Sequence, residues 1–367
     1  MKPFLLGIVT ALSLTATAAA QDANLAPPTL KSEAIPAVME KAVDGFIRPG
    51  YHRFRDASAA LETDLRALCA APSGDALDVA RGAFDDTVAA WSTIEIVRVG
   101  PVIEANRFER ILFYPDRKST GLKQVQAILA KPDESATSVE TLKDKSVAMQ
   151  GLGALEFVLF GTGSDGLVEE KDGFRCRYGA AIAGNLVRLG GELAEAWDKP
   201  DGIQDAWKHP GPANPEFRDG REAITALLGI LVHGAEAIRD QRIETFYKGE
   251  ENNTFPKQAI YWRSGNTFAA IHGNIEGLRS LMKESSMVDL LNDDSRSIVS
   301  SIDFVAKSLV RVADDINPDV EAAVNDQAER AKLDFLLLNS KDLILRLNND
   351  YGGAIGLAAG FSFSDGD

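Results

Sequence analysis

The stretch Ser146–Gly161, SVAMQGLGALEFVLFG, decides the fold. Between Lys145 and Asp165 its only charged residue is Glu156, set among Leu152, Ala154, Leu155, Phe157, Val158, Leu159 and Phe160. A segment that is apolar on every side of a helix belongs in a protein core or in a membrane. Crossing a bilayer takes about 20 apolar residues, more than this stretch offers. The pattern therefore predicts a core helix. An isolated charge is not tolerated there, so Glu156 must be paired, protonated or bound to a cation.

Outward from this stretch the chain reads as helix after helix. Tyr51–Cys69 carries Phe54, Leu61, Leu65 and Leu68, and Asp75–Val97 carries Phe84, Val88, Trp91 and Glu95, at spacings that suit one helix face. Ala34–Phe46, Leu122–Leu129, Arg175–Trp197, Glu216–Tyr247, Asn266–Met282, Val288–Asp314 and Asp319–Leu347 complete the predicted helices. Thr137 or Ser138 is the expected cap of the helix that holds Glu156. No run alternates with the period of a strand. The fold class expected is all-α, two helical bundles packed side by side: residues 33–198 and 216–367. The turn-rich Lys199–Pro215 connects them.

Residues 1–20 read as a cleavable secretory signal, with Lys2 at its start, an apolar Phe4–Leu14 centre and Ala18-Ala19-Ala20 at the cleavage site. No cysteine follows, so no lipid anchor is expected. Residues 21–32 read as a flexible leader, and no other segment suits a membrane span. The expectation is a periplasmic or secreted protein. At 45% hydrophobic and 25% charged, 367 residues suffice for two cores. A formal net charge of −15 disfavours nucleic acid, whose phosphates need a basic footprint. The two cysteines, Cys69 and Cys176, are compatible with an exported disulfide or with two separate buried thiols. They do not suffice for a four-ligand structural zinc site.

Gly151-x-Gly153-x-x-Glu156 resembles the G-x-H-x-x-E motif of the imelysin-like family, with Gly153 where the histidine stands. W-x-x-I-E at Trp91–Glu95, Gly100-Pro101, NRFER at Asn106–Arg110, YPD at Tyr114–Asp116 and GLKQVQAIL at Gly121–Leu129 resemble that family too. So do FRCRY at Phe174–Tyr178, YWRSGNTFAAIHGNIEGL at Tyr261–Leu278 and the tail GFSFSDGD at Gly360–Asp367. The resemblance spans nearly the whole mature chain. It implies an all-helical, periplasmic or surface-exposed protein of two bundles. Some members of that family are classed with the peptidases, and others are iron-regulated or linked to iron uptake.

Three regions hold candidate chemistry. Glu156 is the first: the family's histidine and glutamate would share a helix face and could ligate one metal, but Gly153 ligates nothing. Gly153 instead opens space for a ligand, or permits close packing while Glu156 pairs with an arginine such as Arg98, Arg107, Arg177 or Arg263. The second is Trp262-Arg263-Ser264-Gly265-Asn266, a helix start whose free N–H groups suit a carboxylate such as Glu156 or Asp365. Nearby, His272 with Glu276, and His233 with Glu236, stand at helix spacing and are possible ligand pairs for iron or another divalent metal. The third is the tail, whose Phe361 and Phe363 could dock and bring Asp365 to a polar site.

HExxH, G-x-S-x-G and P-loop patterns are absent. The expected function is non-catalytic binding of a small ligand or metal ion between the bundles, iron or an iron-bearing compound, in iron acquisition. An imelysin-type metallopeptidase and a partner-binding scaffold are the alternatives.

Overall fold

A computed structural model describes residues 29–360. The expected signal over residues 1–20, most of the expected leader and the residues after Gly360, Phe361, Phe363 and Asp365 included, lie outside the described residues. The long helices are α1 (Arg48–Ala70), α2 (Gly74–Ile94), α3 (Thr120–Ala130), α4 (Leu152–Phe160) and α5 (Phe174–Asp198) in the first half. They are α6 (Gly220–Ala237), α7 (Thr267–Glu284), α8 (Ser297–Asp315) and α9 (Gln327–Leu345) in the second. Among the described residues there is no strand, only an isolated bridge between Tyr247 and Thr254. The protein is all-α.

Local chemistry sets several helix starts. Ser73, Asp219 and Asp326 each cap a helix by accepting backbone N–H groups, opening α2, α6 and α9. The Asp219 and Asp326 caps divide segments whose periodicity predicts longer helices: α6 starts at Gly220, and a short Val320–Asn325 helix precedes α9. α4 is not capped by Thr137 or Ser138, as the sequence predicts. Ser138 stands before a separate four-residue helix, Val139–Leu142, and α4 begins after Gly151. Gly151 is required there because a Cβ would lie 2.3 Å from the Ile111 carbonyl oxygen.

α1 packs against α2 and α5, burying Tyr51, Phe54, Leu61, Leu65 and Leu68. Each such burial is worth about 1.5–3 kcal/mol. In the second half α7 packs on α8, and α8 on α9. The halves meet where α7 crosses the end of α2, with Gly273 and Gly277 facing Ser92 and Thr93. A Cβ on Gly277 would stand 2.3 Å from the Thr93 carbonyl oxygen, so only glycine permits this approach. The buried apolar side chains of both halves form one contiguous core. The 199–215 stretch holds a short helix, Ile203–Lys208, whose buried Trp207 packs edge-on against Trp197 and Phe217.

Three helical segments widen by a turn: Ala42–Ile47, Ile238–Ile243 after α6, and Arg346–Gly352 after α9. Such wide turns re-aim the side chains they carry. Arg242 lies in the second of them and is buried.

Of the two cysteine states left open by the sequence, the structure contains the disulfide. Cys69 ends α1, Cys176 begins α5, and their Cα atoms are 5.5 Å apart. The bond closes a loop with a sequence separation of 107. Its loss should cost about 2–5 kcal/mol, chiefly by freeing the unfolded chain. We expect Cys69→Ser/Cys176→Ser to shift the urea unfolding midpoint down accordingly, and reduction of the wild type to reproduce that shift.

Candidate functional site

Glu156 lies on α4 with 4% of its surface exposed. Its partners come from the other half of the chain. The loop ahead of α7 turns through left-handed Tyr261 (φ 51°) and Gly265 (φ 75°). Its Arg263 and Ser264 backbone N–H groups donate to Glu156 Oε1 at 2.9 and 3.1 Å, and Ser264 Oγ at 3.3 Å. A left-handed tyrosine costs of order 1–3 kcal/mol. The loop is held in that shape by the Asn266 N–H, which donates to the Tyr261 carbonyl, and by the Ser264 hydroxyl, whose one proton is shared between that carbonyl at 3.1 Å and Glu156.

Arg263 Nη1 stands 3.7 Å from Glu156 Oε2, an ion pair too long to be a direct hydrogen bond. The guanidinium lies between two rings, 4.4 Å from the Trp262 centroid and 5.3 Å from that of Phe157. Burial pushes the Glu156 pKa up, and Arg263 with the donating amides recovers only part of that shift. Burial likewise pushes the Arg263 pKa down, with Glu156 opposing it.

Beside this pair is a cavity of about 120 Å³, lined from both halves: by the 112–122 segment, by Gly153, Glu156 and Phe157, and by residues 257–263. Gly153 opens it, since a Cβ built there meets nothing within 4 Å. The charged side chains on its wall are Asp116, Arg117, Glu156, Lys257 and Arg263. Asp116 is engaged, accepting the Thr120 and Leu122 N–H groups at the head of α3.

A second buried pair stands outside the candidates that the sequence offers. Arg242 Nη2 donates to Glu95 Oε1 at 2.9 Å, with side chains 3% and 4% exposed. Asn274 Nδ2 donates to the same oxygen at 2.6 Å, and Arg242 lies over the Tyr114 ring. The signal available was Glu95 itself, flanked by Ile94, Ile96 and Val97 as Glu156 is flanked by apolar residues. Arg242 gave none, because its inward direction comes from the wide turn after α6. The Tyr261 hydroxyl, pushed up in pKa by burial and then by Glu95 and Glu156, senses both carboxylates.

The remaining candidates disperse. Arg107 pairs with Glu192 and donates to the Pro101 carbonyl, and Arg177 pairs with Glu134. Asn266 donates to Asp85 at 2.6 Å. His233 pairs with Glu236, whereas His272 pairs with Asp314 and Glu276 with Arg279. Neither histidine lines the Glu156 cavity. Among the described residues no three His, Cys, Asp or Glu side chains are grouped to hold a metal ion. Arg98 lines a separate, larger cleft that shares Leu112, Tyr114 and Pro115 with the Glu156 cavity.

An all-α protein of two bundles, with a glutamate on a core helix held by the head of a helix from the other half, is the class these features define. The chain matches the family model Imelysin (peptidase M75) over residues 47–346, and it belongs to the imelysin family. Its fold is similar to the crystal structure of an imelysin-like protein from Psychrobacter arcticum 273-4, with a TM-score of 0.74 and 16% identity over 91% of this chain and 99% of that one. It is also similar to a Parabacteroides distasonis ATCC 8503 protein described as a putative iron-regulated protein A precursor, with a TM-score of 0.69 and 16% identity over 90% and 97% of the two chains. A search of curated proteins finds no match.

Glu156→Ala should lower stability by about 3–5 kcal/mol, because it leaves two enclosed amide donors and the half-buried Arg263 guanidinium without their acceptor. Glu156→Gln keeps an acceptor and should cost less. A carboxyl whose folded pKa is raised stabilises the fold below its unfolded pKa, about 4.3, and loses that contribution as pH rises through the folded value. Glutamine does not titrate. The stability of Glu156→Gln relative to wild type should therefore rise between pH 4 and pH 7 in paired urea titrations. A fall would mean that Arg263 outweighs burial.

Proposed function

We propose that this imelysin-family protein is a non-catalytic binding protein, exported to the periplasm or cell exterior, that takes an iron-bearing anionic ligand at the Glu156 cavity in iron acquisition. The observation that carries the proposal is the state of Glu156: its carboxylate is occupied by two amides and faces Arg263. A guanidinium 3.7 Å away opposes a bare cation at that carboxylate. Arg117, Lys257 and Arg263 face Glu156 and the engaged Asp116, a lining that favours an anion, such as an iron chelate. The iron-regulated description belongs to the Parabacteroides relative and supports the context by likeness only. No helix among the described residues is long and apolar enough to cross a membrane.

The second reading, a metallopeptidase, is supported by the family model's own description. The residues beside Glu156 do not fit a catalytic metal. Such a site takes about three protein ligands and an open position, whereas here Gly153 stands at the histidine position and Glu156 is engaged. Casein digestion by the purified protein should be nil. Chelator-sensitive cleavage that disappears in Glu156→Gln would replace the binding reading with this one.

Tag-free protein titrated calorimetrically with ferric citrate should bind it, and Arg263→Ala should weaken binding tenfold or more. The absence of binding to the wild type would overturn the proposal. Gly153→Ala should raise stability by up to about 1 kcal/mol, because alanine is the better helix former and its Cβ meets open space. The same methyl narrows the cavity, so ferric citrate affinity should fall while the melting temperature rises.

A further inference from the structure

The cleft next to the Glu156 cavity is far larger, about 1380 Å³. It is lined by residues from 95–115 and from 214–242, with Asn274, Leu357 and Gly360. Its apolar lining includes Ile96, Val99, Ile103, Phe108, Phe217 and Ile230. Ile103 is a large apolar side chain left 46% exposed there.

Against this apolar wall stands a cation without a counterion. Arg98 lies with its guanidinium 3.9 Å from the Phe108 ring centroid. Its side chain makes no hydrogen bond or ion pair among the described residues. Burial, aided by the Arg242 guanidinium, pushes its pKa down to about 10. Arg242, fully enclosed on the same lining, has Nε and Nη1 without partners. Both guanidiniums draw on one enclosed carboxylate, Glu95.

The other acids of the lining do not supply the missing charge. Glu109 is exposed and attracts Arg98 without forming an ion pair. Glu222 pairs with Arg218, Asp219 caps α6, and Glu216 is exposed. Arg221 donates to the Gly356 carbonyl, and His233 is held by Glu236. Arg98 is thus left without a paired acid beside apolar surface, with its guanidinium open to an anion that enters the cleft. A planar guanidinium is best matched by a carboxylate, which can accept two parallel N–H groups.

We propose that this cleft is a second binding site, for an amphipathic carboxylate whose acid group pairs with Arg98 and whose apolar body lies along Phe108, Ile103 and Phe217. The site is independent of the iron reading, because Arg98 and Arg263 line different cavities. Two sources carry this chemistry. One is a free carboxylic acid. The other is the chain itself beyond Gly360, where Phe361 and Phe363 precede Asp365 and Asp367 and where the cleft margin begins.

The test is calorimetric titration with dodecanoate of the full chain and of a chain ending at Gly360, with dodecyltrimethylammonium as the cationic control. Dodecanoate should bind, and the cationic amphiphile should bind at least tenfold more weakly. Arg98→Met, which keeps the apolar stem, should weaken dodecanoate binding tenfold or more. Arg98→Lys should retain part of it. Arg98→Met should also melt no lower than wild type, which a counterion-paired structural arginine would not allow. Equal affinity in the two chains assigns the cleft to a free acid. Tighter binding to the shortened chain assigns it to residues 361–367. Absence of dodecanoate binding in both chains, equal binding of the cationic amphiphile, or an Arg98→Met variant that binds as wild type would overturn the proposal.

Discussion

A carboxylate buried on a core helix has to find donors, and the donors for Glu156 come from more than a hundred residues later in the chain. The amides of Arg263 and Ser264 meet it at the head of α7. Backbone N–H groups suit this task because they bring partial positive charge without the desolvation cost of a second full charge. To aim two successive amides at one oxygen, the loop bends through left-handed Tyr261 and Gly265. That bend carries Arg263 to a place between the rings of Trp262 and Phe157. One polar requirement on α4 thereby shapes the loop, the aromatic sandwich and the cavity wall.

The junction between the halves rests on a second buried charge as well. Glu95 at the end of α2 is held by Arg242 and by Asn274 on α7. These contacts stand beside the close approach of α7 to Ser92 and Thr93 that Gly273 and Gly277 permit. Close backbone packing excludes water, and the low dielectric that results strengthens each polar contact while making an unpartnered group expensive. The Nε and Nη1 of Arg242 and the Oε2 of Glu95 are the atoms left in that position on the cleft side. The two cavities share the Leu112, Tyr114 and Pro115 wall, so the polar contacts of the junction lie between two spaces of different size and lining.

Much of this was legible locally. The apolar surroundings of Glu156 announce a buried carboxylate, and the apolar periodicities around Phe54, Leu61, Leu65 and Leu68 place α1 correctly. Its likeness to a helix start marks the Trp262–Asn266 stretch as a donor, and the geometry realises this through the Arg263 and Ser264 N–H groups with the Ser264 hydroxyl beside them. Caps were the weaker guide. Ser138 reads as the start of the Glu156 helix, yet Gly151 starts it, because what matters there is the clearance of the Ile111 carbonyl. Arg107 and Arg177, equally placed in motif-like segments, are drawn off by Glu192 and Glu134. Which arginine meets which acid depends on distances between helices, and spacing along one helix carries no such information.

By itself the sequence determined the helical class, the burial of Glu156, the absence of a donor at Gly153 and the pair of cysteines available to be joined. These follow from periodicity and from the cost of burying charge, both written in neighbouring residues. Only the tertiary structure decided that Cys69 and Cys176 meet, that Glu156 is held by amides, that Glu95 takes Arg242, and that Arg98 faces a cleft without a counterion. Each of those is a contact between segments far apart in the chain. Its free energy depends on separation to a fraction of an ångström, which is set by how the helices pack.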